Sequence, residues 1–256
     1  MERHITVLDF DQTYSRQSFL HKSCRWIDLQ EMSGTNLFCE RDTLFHISQQ
    51  LKQHTNPITL LGSGNYHYVS FLLLSQLQAP FTLILFDHHT DMLPSPNESL
   101  MSCGSWVYDS LQHLPFLKKI ILIGVSNDWQ QHVPSSVVEK VIAFSEKTLH
   151  QDSAALGTSI IQQIQTENVY ISIDKDVLDP SEAITAWDHG TLRLNQLREI
   201  VHETMQQREV LGIDICGEYP VTPTNEYSKQ TREAIRRNNA ANHFILESIK
   251  ETVHRF

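Results

Sequence analysis

Cysteine is scarce in this 256-residue chain: Cys24, Cys39, Cys103 and Cys216 are scattered, with no CxxC pair among them. That spacing excludes a disulfide scaffold and a cysteine-rich zinc module, so reduced thiols are expected. Long apolar runs are missing too, which excludes a membrane-spanning helix. The start, Met1 to Leu8, passes directly into a strand-like run without the apolar core of a signal peptide, and cytoplasmic residence is the expectation. Basic charge is in short supply: 20 Lys and Arg stand against 30 Asp and Glu, for a net charge of −10, and no Lys/Arg-rich patch occurs. A nucleic-acid partner would find no phosphate-directed field here. Nor does any Pro/Gly/Ser-rich linker, low-complexity tract or repeat divide the chain. With 40% apolar residues, one domain over residues 1–256 has enough material for a sizeable core.

What is present is alternation. Short apolar, β-branched runs at 5–9, 58–61, 81–87, 119–124, 140–144, 168–174 and 210–214 predict strands. Helix-length segments at 42–53, 66–77, 101–111, 153–165, 195–207 and 226–250 lie between or after them. Strands alternating with helices predict an α/β fold whose mainly parallel sheet is covered on both faces.

The chemistry gathers at strand ends. Asp87-His88-His89-Thr90-Asp91 follows the apolar run Phe81 to Phe86, and Ser172-Ile173-Asp174-Lys175-Asp176-Val177-Leu178-Asp179-Pro180 follows Val169-Tyr170-Ile171. Open α/β sheets build their sites at the carboxyl ends of strands. In extended backbone, side chains at i and i+2 share a side, so Asp87, His89 and Asp91 can converge, as can Asp174 and Asp176. Carboxylates crowded in a poorly solvated place cannot all stay ionised unless cations neutralise them, and divalent metal meets that need. Four aspartates supply four negative charges, which two divalent ions balance. Leu60-Leu61-Gly62-Ser63-Gly64-Asn65-Tyr66-His67 is a glycine turn after a strand. It lacks the Lys-Ser/Thr of a phosphate loop and the third glycine of a dinucleotide fingerprint, and His67 is its informative member.

Together these segments resemble the arginase/agmatinase/formiminoglutamase (ureohydrolase) family, whose signatures are a GGDH-like turn, a DxHxD segment and an SxDxDxxDP segment in that order. Here they read Gly64-Asn65-Tyr66-His67, Asp87 to Asp91 and Ser172 to Pro180. The resemblance covers about residues 58–220 and implies a three-layer α/β/α sandwich. It also implies that His67, Asp87, His89, Asp91, Asp174 and Asp176 hold two Mn²⁺ ions, although ligand type alone also admits Fe²⁺, Co²⁺ or Zn²⁺. Ser172 and Asp179 are expected to support the ligand loop. Relatives that assemble as trimers or hexamers imply a homo-oligomer.

Departures from the family pattern fall on the substrate side. Cys103 stands where the family has a proton-shuttling histidine. The family's DxxE acid is displaced by one residue, in Asp214-Ile215-Cys216-Gly217-Glu218, a shift that reverses the face in a regular strand unless Gly217 rotates the backbone. The amino-acid-binding residue that arginases carry after DxHxD has no counterpart in Met92-Leu93-Pro94. The expected reaction is hydrolysis of a C–N bond at a guanidinium carbon by a metal-activated water, since a bound metal lowers the pKa of water from roughly 15.7 to about 7. The products would be urea and an amine, from a small guanidino compound or an arginine side chain in a peptide. Glu218 is expected to hold the cationic group, against a competing reading as a surface acid. His189, in Trp187-Asp188-His189-Gly190-Thr191, is the preferred proton donor, with His88 and Cys103 as alternatives; Cys103 is equally a small packing residue. Two other classes compete: a metal-dependent amidohydrolase or deacetylase on the related fold, and an arginase-like metal-binding protein without turnover.

Overall fold

A computed structural model describes residues 5–20, 24–52, 56–95, 97–150 and 153–252. In chain order its elements are β1 (Ile5–Asp9), β2 (Arg25–Asp28), β3 (Phe38–Glu40), α1 (Arg41–Lys52), β4 (Ile58–Leu60), α2 (Val69–Leu74), β5 (Phe81–Phe86), β6 (Leu100–Ser102), α3 (Trp106–His113), β7 (Leu117–Val125), β8 (Val141–Ser145), α4 (Ser153–Gln163), β9 (Asn168–Asp174), α5 (Leu194–Gln207), β10 (Glu209–Cys216) and α6 (Lys229–Thr252). Eight strands form one sheet in the order β2-β1-β4-β10-β9-β5-β7-β8, and every neighbouring pair is parallel.

The apolar pattern explains the layers. Along β5 all six residues are buried, with Ile84 and Phe86 in one core and Leu83 and Leu85 in the other. That period of two, in a run with no polar face, marks a strand covered on both sides. Leu156 and Ile160 of α4, Leu197 and Val201 of α5 and Ile245 of α6 close the first face. Leu44 and Ile47 of α1, Leu72 of α2 and Val107 of α3 close the second. Each large side chain so buried contributes about 1.5–3 kcal/mol.

The seven expected strands are present, with ends shifted by one or two residues where they differ. Three others escape the sequence pattern. The edge strand β2 is exposed at three of its four positions, so it carries no apolar signature. β3 and β6 are three residues each and pair antiparallel beside the main sheet, which takes Met101 and Ser102 out of the helix expected at 101–111 and delays α3 to Trp106. The helix expected at 66–77 shortens to α2, because Gly64–Tyr66 forms a 3₁₀ turn before it. The expected last residue of the first helix, Gln53, lies outside the described residues.

Four central strands matter most. β4, β10, β9 and β5 are consecutive in the sheet, and their carboxyl ends form one rim. The register pairs Ile173 with Phe86 and Asp174 with Cys216, so the segments beginning at Asp87, Asp174 and Gly217 leave the sheet side by side.

Candidate metal centre

His67 follows the 3₁₀ turn after β4 and is buried. Its Nδ1 lies 3.3 Å from Asp87 Oδ2, 3.3 Å from Asp91 Oδ2 and 3.6 Å from Asp174 Oδ2. On the other side of the ring, Nε2 is 2.9 Å from Ser172 Oγ, whose hydroxyl donates to Asp214 Oδ1 at 2.6 Å. With its proton given to Asp214, Ser172 accepts from Nε2–H, and Nδ1 is left with its lone pair facing three carboxylates. Nδ1 is buried without a hydrogen-bond partner. An imidazole lone pair and three acids aimed at one point repel one another unless a cation or a proton sits between them. The donor set therefore fits a divalent metal, and the Ser172–Asp214 relay behind the histidine is the kind of support that fixes a ligand's tautomer.

A second group shares Asp87 with the first. His89 Nδ1 lies 2.9 Å from Asp176 Oδ2 and 3.5 Å from Asp87 Oδ1. In each of the sets His67/Asp87/Asp91, Asp87/His89/Asp176 and His67/Asp174/Cys216, the ligating atoms lie within 4.8 Å of one another. Backbone amides knit the groups together: His89 N donates to Asp87 Oδ1, His88 N to Asp176 Oδ1 and Asp176 N to Asp174 Oδ1. All six residues expected to ligate meet at the rim.

The route by which Asp91 arrives differs from strand alternation. β5 ends at Phe86, and Asp91 has a φ of 50°, a left-handed conformation that aspartate tolerates better than most residues. The turn swings its carboxylate back over His67, where Trp106 Nε1 donates to Oδ2 at 2.7 Å and the Trp106 ring lies 4.8 Å from the imidazole. Gly64 allows the closest approach on the other flank, since a Cβ there would stand 2.8 Å from Asp174 Oδ2.

Electrostatics within the cluster follow from burial. Burial, then the negative charge of Asp87, pushes the Asp91 carboxyl up to about 6 and raises Asp174 as well. Asp176 is raised well above the usual range by burial and by Asp174 and Asp87. Burial acts against protonation of His89, but its bonds to Asp176 and Asp87 win and push it up to about 12. Burial would raise Asp87 as well, yet the imidazoles of His67 and His89 beside it hold it below the ordinary value. Without a cation, the cluster keeps protons that a metal would displace.

Above the ligands opens a cavity of about 530 Å³, lined by all six of them and by His88, Cys103, His132, Trp187 and others. Burial, then the charge of Asp91, pushes the Cys103 thiol up to about 12, so it is a neutral wall group. Two expected substrate-side residues are elsewhere. His189 Nδ1 donates to the carbonyl of Leu178 at 3.0 Å and its Nε2 accepts from Thr185 N at 3.1 Å. Both nitrogens are spent on stapling the loop after Pro180, and among the described residues the cavity wall includes its neighbours Trp187 and Asp188 but not His189.

Glu218 is neither a surface acid nor a cavity group. It is buried, with Oε1 bonded to Lys175 Nζ and to Asn242 Nδ2 at 2.7 Å, and Oε2 to Gln17 Nε2 at 2.6 Å and Asn238 Nδ2 at 3.3 Å. Its side chain faces Lys175 and the α6 residues Asn238 and Asn242, and not the cavity. Gly217, with φ of 87°, has no space for a Cβ, which would meet Asp174 Oδ1 and stand 2.6 Å from Lys175 N. Asp179 accepts from Ser181 N and pairs with Arg193, while its amide donates to Leu192 O, so it braces the following loop and not the ligands. Lys175, Trp106 and Trp187 are structural partners that the pattern of acids and histidines does not signal.

A sequence model described as the Arginase family matches residues 6–238 of the chain. An uncharacterized protein of Thermotoga maritima is 28% identical over 215 residues, covering 84% of this chain and 80% of that protein. An agmatinase of Bacillus subtilis is 26% identical over 180 residues, which span 67% of this chain and 58% of the enzyme. Among solved structures, formimidoylglutamase from Bacillus subtilis superposes with a TM-score of 0.69 at 19% identity, over 98% of this chain and 87% of that one.

Proposed function

Because this chain belongs to the arginase family, we propose that it is a dinuclear, manganese-dependent hydrolase of the ureohydrolase type. It cleaves a C–N bond at the guanidinium carbon of a small guanidino compound or an arginine side chain, releasing urea and an amine. The observation that carries this reading is the buried, unpartnered Nδ1 of His67 facing Asp87, Asp91 and Asp174, with Asp87 shared by a second group of ligands. His67, Asp87 and Asp91 with Asp174 would hold one ion, and Asp87, His89 and Asp176 the other. A bound pair of divalent ions supplies Lewis acidity and an acidified water.

The chain's own residues do the remaining work. Ser172 and Asp214 fix the His67 tautomer, and Trp106 holds Asp91 in its turn. Trp187 packs its ring 5.8 Å from that of His89 and narrows the approach of water on that side. A departing amine needs a proton at its nitrogen. His88 and Cys103 line the cavity and take the role that sequence reasoning gave to His189. The Cys103 thiol, pushed up to about 12, holds its proton too tightly to give it up readily near neutral pH, which leaves His88 as the better donor of the two.

One observation favours a second reading. With Glu218 committed to Lys175, the wall lacks the carboxylate expected to grip a guanidinium, which suits hydrolysis of an uncharged amide C–N bond. The test is product identity: Mn²⁺-loaded protein is incubated with arginine, agmatine, guanidinobutyrate, formiminoglutamate, an arginine peptide and an N-acetyl amine. Urea release, or formamide release from formiminoglutamate, supports the ureohydrolase reading, acetate release supports the alternative, and no release from any compound refutes both.

A further inference from the structure

The mouth of the cavity is built from apolar side chains that the core does not use. Phe38 is 44% exposed, Leu93 52% and Trp187 37%. They come from β3, from the segment after Asp91 and from the loop after Pro180, yet all three line the one cavity over the metal ligands. Exposed apolar surface gathered at a concave polar site marks a ligand contact far more often than scattered single residues do.

Charge at the same mouth points the same way. Neither lysine nor arginine is among the described residues that line the cavity, and the charged side chains outside the ligand cluster are Asp128 and Asp188, both exposed. The imidazole at the mouth, His132, already lies 3.6 Å from Asp128. A carboxylate on the far end of a substrate would meet two like charges and no free cation, whereas an aromatic ring would find Trp187 and Phe38 to pack on.

We propose that the site selects a guanidino compound whose non-reacting end is an aryl or branched-alkyl group without a carboxylate. This deepens the ureohydrolase reading and rests on it for the reacting group. Two probes of similar length separate the possibilities: 2-phenylethylguanidine and 4-guanidinobutyrate, titrated calorimetrically into Mn²⁺-loaded protein, with urea release followed in parallel. The phenyl compound is expected to bind at least about tenfold tighter, a factor that one hydrophobic contact supplies. Phe38→Ser should remove most of that advantage, and Leu93→Lys should tighten guanidinobutyrate by up to about fivefold through a new cation at the mouth.

Equal or tighter binding of guanidinobutyrate to the parent protein overturns the proposal, as does binding of neither probe. An unchanged preference in both variants overturns it too. Because preference is read from binding, its failure is distinct from that of the reaction: a strong phenyl preference without urea would sink hydrolysis alone, and urea release with equal binding of the two probes would sink only the selectivity.

Discussion

Replacing Lys175 by methionine removes a cation that is 0% exposed from a carboxylate, Glu218, that is 2% exposed. Breaking a buried pair by deleting one partner costs about 3–5 kcal/mol, because the remaining charge is left uncompensated. Here three amide groups, from Gln17, Asn238 and Asn242, still donate to the stranded carboxylate, so the lower end, about 3 kcal/mol, is expected. For a chain of this size 1 kcal/mol corresponds to roughly 2–4 °C, which puts the loss in Tm at about 6–12 °C. Glu218→Gln should cost a similar amount. The double variant Lys175→Met/Glu218→Gln should lose about 4 kcal/mol, less than the two singles added together, a coupling energy on the order of 2 kcal/mol. The position of Lys175 between Asp174 and Asp176 adds a second readout: Mn²⁺ affinity of the single variants should fall by about 10–100-fold, as it does when residues that orient ligands are lost. Thermal unfolding followed by circular dichroism, with calorimetric Mn²⁺ titration, measures both. Single variants that unfold at the parent temperature, or a double variant that loses the full sum of the two singles, would refute the reasoning.

Trp106→Phe removes the N–H that steadies Asp91, a bond to a charged acceptor worth about 1.5–3 kcal/mol. Mn²⁺ affinity should drop by roughly tenfold or more with little change in fold, as circular dichroism would show. Affinity should also depend on pH: Asp91, pushed up to about 6, and Asp174 and Asp176, also raised, hold protons at low pH that a metal must displace. Binding should therefore strengthen as pH rises from 5 through 7, and calorimetric titrations across that range should show it; an affinity that is flat or falls would contradict the assigned ligands. Gly217→Ala puts a methyl against Asp174 and forces φ of 87° on alanine, so both Tm and metal content should fall.

How much the sequence disclosed depends on how local each signal is. β5 and β9 are legible because nearly all their side chains are buried on both faces and read as mainly apolar, β-favouring runs. β2 is illegible for the opposite reason, an edge strand whose side chains mostly face water. The six metal-ligand candidates are legible because they fall in short acid- and histidine-bearing motifs at or after the carboxyl ends of strands, although Asp91 reaches the cluster through a left-handed turn that alternation does not foresee. The Lys175–Glu218 pair joins residues 43 apart, and a lysine within an acidic motif carries no local sign that it points inward. His189 fails as a donor for a similar reason: its partners, Leu178 O and Thr185 N, are backbone groups that any sequence would supply.

Metal content of the purified chain tests the central claim most directly. Mn²⁺ titration followed by elemental analysis should find two ions per chain in the parent protein. Asp91→Asn should weaken one of them, and Asp87→Asn, at the ligand shared by both groups, should weaken both. A parent protein that binds no transition metal, or an Asp87→Asn variant that keeps two ions at parental affinity, would contradict the account.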